Sequence, residues 1–145
     1  MKNTFVISCP IDTYSGYGAR ARDFVKSIVE LDKYDVKILS QRWGNTTQGF
    51  IKDNKKEWGF LEKIIIPGLK EKPDYWCQIT VPNEFSPAGK YNIGLTAGIE
   101  TTNCDIEWIR GCNRMDLVLT SSEHSKSTFI NSQFQNSERK DDIVK

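Results

Sequence analysis

A strand, a glycine corner, a helix and a second strand follow one another within residues 4 to 40, and that order restricts the fold sharply. Thr4-Phe5-Val6-Ile7-Ser8-Cys9 is β-branched and almost continuously apolar, the pattern of a strand buried on both faces. Ala21, Phe24, Val25, Ile28 and Val29 recur at the i, i+3, i+4, i+7, i+8 spacing of a core-facing helix that runs to about Leu31. Asp35 to Ser40 reads as a second strand, starting a few residues later. A strand that returns through a helix to lie beside its predecessor forms a βαβ unit, with parallel strands and a right-handed crossover.

The corner itself is Ser15-Gly16-Tyr17-Gly18-Ala19-Arg20-Ala21-Arg22. A glycine-rich corner at a helix start brings backbone N–H groups toward an anion. Arg20 and Arg22, read as first-turn residues, oppose the helix dipole, and a bound phosphate would offset that. Gly16-x-Gly18-x-x-Ala21 also spells the dinucleotide pattern, and Arg42, after the second strand, could face a 2′-phosphate. Against that reading, Pro10 to Ser15 intervene between strand and glycine, whereas a dinucleotide loop has its first glycine almost at the strand tip. The plainer alternative is that the glycines only permit a tight corner.

Farther along, Gln41 to Asn54 is polar and predicts a mobile loop, and Lys55 to Glu62 a short helix with Trp58 and Leu61 inward. Lys63 to Ile66 is a strand or that helix's continuation, stopped by Pro67-Gly68. Tyr75 to Val81, Tyr91 to Ala97 and Asp116 to Thr120 read as strands. Cys104 to Cys112 reads as a helix with Ile106, Trp108 and Ile109 inward, and Ser121 or Ser122 caps a last helix to about Gln133. The fold class expected is α/β, a Rossmann-like three-layer sandwich with a mainly parallel sheet, over residues 1–133. Residues 134–145 read as a charged, frayed tail or the start of a linker. In such sheets ligands bind beyond the carboxyl ends of the strands. That places Pro10 to Arg20, Gln41 to Gly44, Pro82 to Ser86 and Gly98 to Thr102 together.

Composition narrows the partners. The 145 residues suit one domain, and 20 basic against 19 acidic residues leave a net charge of +1, without the basic excess of a nucleic-acid binder. No apolar run approaches the roughly 20 residues of a membrane span. With no leader pattern, a cytoplasmic location is the expectation. Cys9, Cys77, Cys104 and Cys112 have no C-x-x-C spacing, and the single His124 lies apart from most of them, so reduced thiols and no metal site are expected.

Glu100, at a strand end and followed by Thr101 and Thr102, is the best candidate for an acid, a base or a sugar-hydroxyl ligand. A solvated loop carboxylate is the competing reading. Glu84 has a similar position with weaker surroundings. Asp105 and Glu107 suit a solvated helix start, and His124 near Ser121, Ser122 and Ser125 lacks a nucleophile elbow. Of the tryptophans, Trp43 is the one placed to stack on a ligand.

Two segments resemble the N-terminal half of two-domain GT-B glycosyltransferases. One is Ser15 to Arg20. The other runs from Asn92-Ile93-Gly94-Leu95 through Glu100-Thr101-Thr102, Glu107-Trp108-Ile109 and Asn113 to Met115-Asp116-Leu117-Val118-Leu119-Thr120-Ser121-Ser122-Glu123-His124-Ser125-Lys126. The resemblance implies one half of a GT-B fold, with donor phosphate facing Gly16, Tyr17, Gly18 and Arg20. It implies an acceptor cleft lined by Glu84, Thr101, Thr102 and Trp43, and Glu100 as a catalytic base. The substrates would be a nucleotide-sugar donor and a glycan or other hydroxyl acceptor, with no obligatory metal or other cofactor. The family's donor-binding C-terminal domain has no counterpart in these residues, so catalysis is expected to need a separate domain or chain. A domain that binds without turnover and an NADP-dependent reductase are the alternatives.

Overall fold

The computed structural model describes residues 1–97 and 105–131, and the backbone of 134–135 and 143–144. Two compact units appear: Met1–Ile79 with Ala88–Tyr91, and Thr80–Pro87 with Asn92–Lys145.

In the first unit, β1 (Asn3–Cys9) leads through α1 (Gly16–Leu31) to β2 (Tyr34–Ser40). Two one-turn helices follow, α2 (Phe50–Asp53) and α3 (Lys55–Trp58), then a 3₁₀ turn (Gly59–Ile64), the two-residue β3 (Ile65–Ile66) and β4 (Tyr75–Ile79). β1 is paired in parallel with β2 on one side, Ile7 opposite Ile38, and with β4 on the other, Ile7 opposite Cys77. Central placement explains its apolar run: Val6, Ile7 and Cys9 are all but inaccessible. The helix predicted from its apolar stripe is present, with Ala21 and Val25 fully buried. Ser15 caps it, accepting the Gly18 N–H at 2.9 Å. Trp58 and Leu61 are buried as expected.

In the second unit a 3₁₀ turn (Pro82–Glu84) precedes β5 (Tyr91–Thr96), α4 (Ile106–Asn113), β6 (Leu117–Thr120) and α5 (Glu123–Asn131). β5 and β6 run parallel, Ile93 opposite Leu117. The Asp105 carboxylate caps α4 through the Glu107 N–H at 2.8 Å, the solvated helix start expected of these acids. Ile109 and Phe129 form a small cluster with Trp108 and Cys112 against it. The Asp116 carboxylate accepts the Asn92 N–H at 2.7 Å, and Arg114 Nε donates to the Phe85 carbonyl at 2.8 Å.

The strand order β3-β2-β1-β4-β5-β6, all parallel, is the Rossmann-like α/β arrangement expected from the sequence. The tail differs from the expected frayed segment: β7 (Phe134–Gln135) and β8 (Ile143–Val144) pair antiparallel. Phe, Ile and Val at its two ends favour strands, and the polar residues between them masked that signal. Among the described residues no helix is long and apolar enough to cross a membrane.

Cys9 and Cys77 are buried free thiols. Burial pushes the Cys77 thiol up to about 12. Cys9 is raised by burial first and by Cys77 second, with Arg22 opposing. An acid whose pKa is raised on folding stabilises the fold below its unfolded pKa and loses that contribution as pH rises above it. Stability should therefore fall above about pH 9, by up to about 1.4 kcal/mol per pH unit for each thiol. Urea titrations at pH 8, 9 and 10 check this, and Cys77→Ala should flatten the alkaline slope.

Candidate functional site

The carboxyl end of β1 lies at the point where the strand order reverses, between β1 and β4, the usual ligand position in open α/β sheets. The loop that leaves β1 there is packed onto the helix it precedes. Thr13 Oγ1 donates to the Pro10 carbonyl at 3.1 Å. That leaves Ser15 to donate to Thr13 Oγ1 at 2.8 Å while accepting the Gly18 N–H. A Cβ on Gly18 would stand 2.4 Å from the Thr13 carbonyl oxygen and 3.1 Å from that of Pro10. In a dinucleotide site the second glycine admits a pyrophosphate close to the backbone. Here Gly18 admits the protein's own loop, which fills that place and weighs against the dinucleotide reading.

Arg22 closes the loop from beneath. Its side chain is only 4% exposed, and Nη1 donates to the carbonyls of Ile11 at 2.9 Å and Thr13 at 2.8 Å. The guanidinium lies 3.5 Å from the centroid of the Phe50 ring. Desolvation lowers the Arg22 pKa, with Asp12 acting in the other direction. The reason for this cation is therefore the loop's own carbonyls, where the sequence suggested a phosphate. Counting from Gly16, Arg20 and Arg22 both sit in the second helical turn, not the first.

The loop after β2 is fastened to the same corner. Tyr14 N–H donates to the Thr47 carbonyl at 2.9 Å, and a β-bridge joins Thr13 to Gln48. The Asp12 carboxylate accepts N–H groups from Gly49 at 3.2 Å and Ile51 at 2.8 Å, and its carbonyl accepts those of Gly49 and Phe50. Tyr14 donates its hydroxyl to Asp53, which raises the tyrosine's pKa, and its ring meets Phe50 edge-on at 5.2 Å. Gln41 to Asn54, expected to be mobile, is instead a bonded partner of the β1 loop. Asp12 and Tyr14 could not be paired with residues some 40 positions away without the sheet that sets the loops side by side.

Helical spacing divides the predicted phosphate residues. Gly18, Arg22 and Val25, at i, i+4 and i+7, share the packed face, and the Gly18 N–H is already given to Ser15. Gly16 and Arg20, four apart, share the outer face, where both are exposed and a Gly16 Cβ would meet nothing within 4 Å. Tyr17 stacks on Trp43 with centroids 4.2 Å apart and planes 26° apart. A residue predicted for donor phosphate and one predicted for acceptor thus form a single aromatic shelf. Arg42, next to Trp43, is exposed.

Glu84 lies in the other unit, ends the Pro82–Glu84 turn and accepts the Thr80 hydroxyl. Glu100, Thr101, Thr102 and Cys104 fall outside the described residues. His124 is exposed on α5, while Ser121 and Ser125 direct their hydroxyls at the Ala97 carbonyl, at 2.7 and 3.3 Å, and Ser122 accepts the Ser125 N–H. No family model, curated protein or solved structure matches the chain.

Proposed function

We propose that the chain is the acceptor-side, N-terminal half of a glycosyltransferase, transferring sugar from a nucleotide-sugar to a hydroxyl acceptor such as a glycan. The observation that carries the reading is the Tyr17–Trp43 shelf beside exposed Gly16 and Arg20, at the carboxyl end of the first two strands. A sugar offers a C–H face suited to an aromatic ring, and its phosphate suits a guanidinium beside a helix start. The sequence passages that resemble GT-B enzymes add the reaction class. In this reading Gly16 and Arg20 meet the donor phosphate and offset leaving-group charge. Trp43 holds the acceptor, and the sequence resemblance assigns Glu84, Thr101 and Thr102 to the acceptor and Glu100 as base. A donor-binding domain, in the same polypeptide or another, supplies the opposite wall.

The test is calorimetric titration of the full chain with UDP-glucose, GDP-mannose and NADPH, with tryptophan fluorescence as a second readout. Binding of a nucleotide-sugar at Gly16 and Arg20 is expected, with Trp43 emission changing because its stacking partner Tyr17 lies beside the bound phosphate. Arg20→Ala should weaken that binding about tenfold, or about 1.4 kcal/mol. Tight NADPH binding abolished by Arg42→Ala, with no response to either nucleotide-sugar, would sink the reading in favour of a reductase.

A further inference from the structure

A second aromatic assembly lies at the other end of β1, roughly 20 Å from the glycine loop at about 3.3 Å per strand residue. Tyr34, Tyr75 and Tyr91 each begin a strand, and Phe5 sits two residues into β1. Phe5 meets Tyr34 edge-on at 5.3 Å and stacks on Tyr75 at 5.7 Å, and Tyr75 meets Tyr91 at 6.2 Å with planes 71° apart. The inner rings are packed by one another. Tyr91 is 40% exposed. Together Tyr75 and Tyr91 form a corner that opens on a recess of about 450 Å³, completed by Asn3, Asp74 and Lys90.

The polar side of the corner is held in place. One oxygen of Asp74 accepts the Thr4 N–H at 2.9 Å and the other accepts Lys90 Nζ at 3.0 Å. The Thr4 bond, followed by the Lys90 bond, lowers the Asp74 pKa, so the carboxylate stays ionised near neutrality. Each constraint removes a class of ligand. A nucleobase sandwiched between the two rings is ruled out, because these planes cross at 71°. An anion meets Asp74, and a cation meets Lys90, so neither gains a net counter-charge. What remains is an uncharged molecule with an apolar face and a rim that both donates and accepts hydrogen bonds. A pyranose fits that description: its C–H hydrogens suit the negative face of a tyrosine ring, and its hydroxyls suit an amide, a carboxylate and an ammonium.

We propose that the Tyr75–Tyr91 corner, with Asn3, Asp74 and Lys90, is a saccharide-binding site separate from the Tyr17–Trp43 shelf. It binds one sugar ring of a glycan without acting on it. The site does not rest on the glycosyltransferase reading and would serve a binding protein equally.

The experiment is an NMR titration of the full chain with maltotriose, cellotriose and chitotriose. Amide shifts at Asn3, Asp74, Tyr75 and Tyr91 should move and saturate in the millimolar range for at least one trisaccharide. Tyr91→Ala should weaken that binding at least tenfold and exposed Lys90→Ala severalfold, while Tyr17→Ala leaves it unchanged. If Tyr91→Ala fails to fold, Lys90→Ala and Tyr91→Phe, which keeps the ring, decide the matter. The proposal is overturned if none of the three sugars moves these amides, or if Lys90→Ala and Tyr91→Ala bind as the parent does. It is also overturned if shifts appear only around Tyr17 and Trp43, a result that would leave the shelf reading standing.

Discussion

Gly111→Ala is expected to destabilise the protein by about 3 kcal/mol, lowering its melting temperature by roughly 10 °C. A Cβ at this position would lie 1.7 Å from the carbonyl oxygen of Pro82 and 2.5 Å from its carbon. Both atoms are backbone, so no side chain can swing aside, and α4 must withdraw from the 3₁₀ turn. Withdrawal loosens the Arg114 bonds to the Phe85 and Asn83 carbonyls, at 2.8 and 3.2 Å. The helix-propensity gain of about 1 kcal/mol for replacing glycine is too small to compensate. Gly16→Ala is the control: with open space around its Cβ, it should leave stability unchanged or raise it by up to about 1 kcal/mol. Thermal melts of the two variants against the parent check the pair, and equal melting temperatures would refute the close contact.

Arg22→Met should cost about 3–5 kcal/mol and release the two loops at the carboxyl end of β1. Hydrogen bonds from a charged group contribute about 1.5–3 kcal/mol each, and two are lost, leaving the Ile11 and Thr13 carbonyls unsatisfied in a buried site. The contact with Phe50 is lost as well, while removing a desolvated charge offsets part of the sum. Methionine fills much of the volume but offers no donor. Beyond a lower urea midpoint, the variant should be cut faster by trypsin at Arg42 and Lys52, because the loop that carries them loses its anchor. Unchanged cleavage there would show that Arg22 does not hold the loops.

Most of the fold could be read from local pattern. β1, α1 and β2 were legible because burial on both faces of a parallel strand leaves a continuous apolar run, and a helix packed on it leaves a 3.6-residue stripe. The short pieces between β2 and β4 were blurred, since Lys63 to Ile66 contributes only two residues to the sheet. The candidate site was half legible. The glycines and Trp43 were visible, but their partners are non-local: nothing in the spelling of Asp12 or Tyr14 points to Gly49 or Asp53. Arg22 was misread as a phosphate ligand, although its signal was local. It falls on the Gly18–Ala21–Val25 stripe, and a cation on a buried stripe signals a bonded structural arginine.

The two-residue β3 has a consequence for behaviour in concentrated solution. Outer strands of a sheet are templates on which further chains can add, and long, flat, apolar ones seed fibrils. β3 pairs with β2 only at Ile38–Ile65 and Leu39–Ile66, and Pro67 follows at once, with no N–H to offer. An incoming strand would find almost no ladder to extend on that flank. Pro67 thus acts as a gatekeeper beside the β-prone triplet Ile64-Ile65-Ile66. Replacing it with valine would lengthen the apolar run to four and give the flank the donor it lacks.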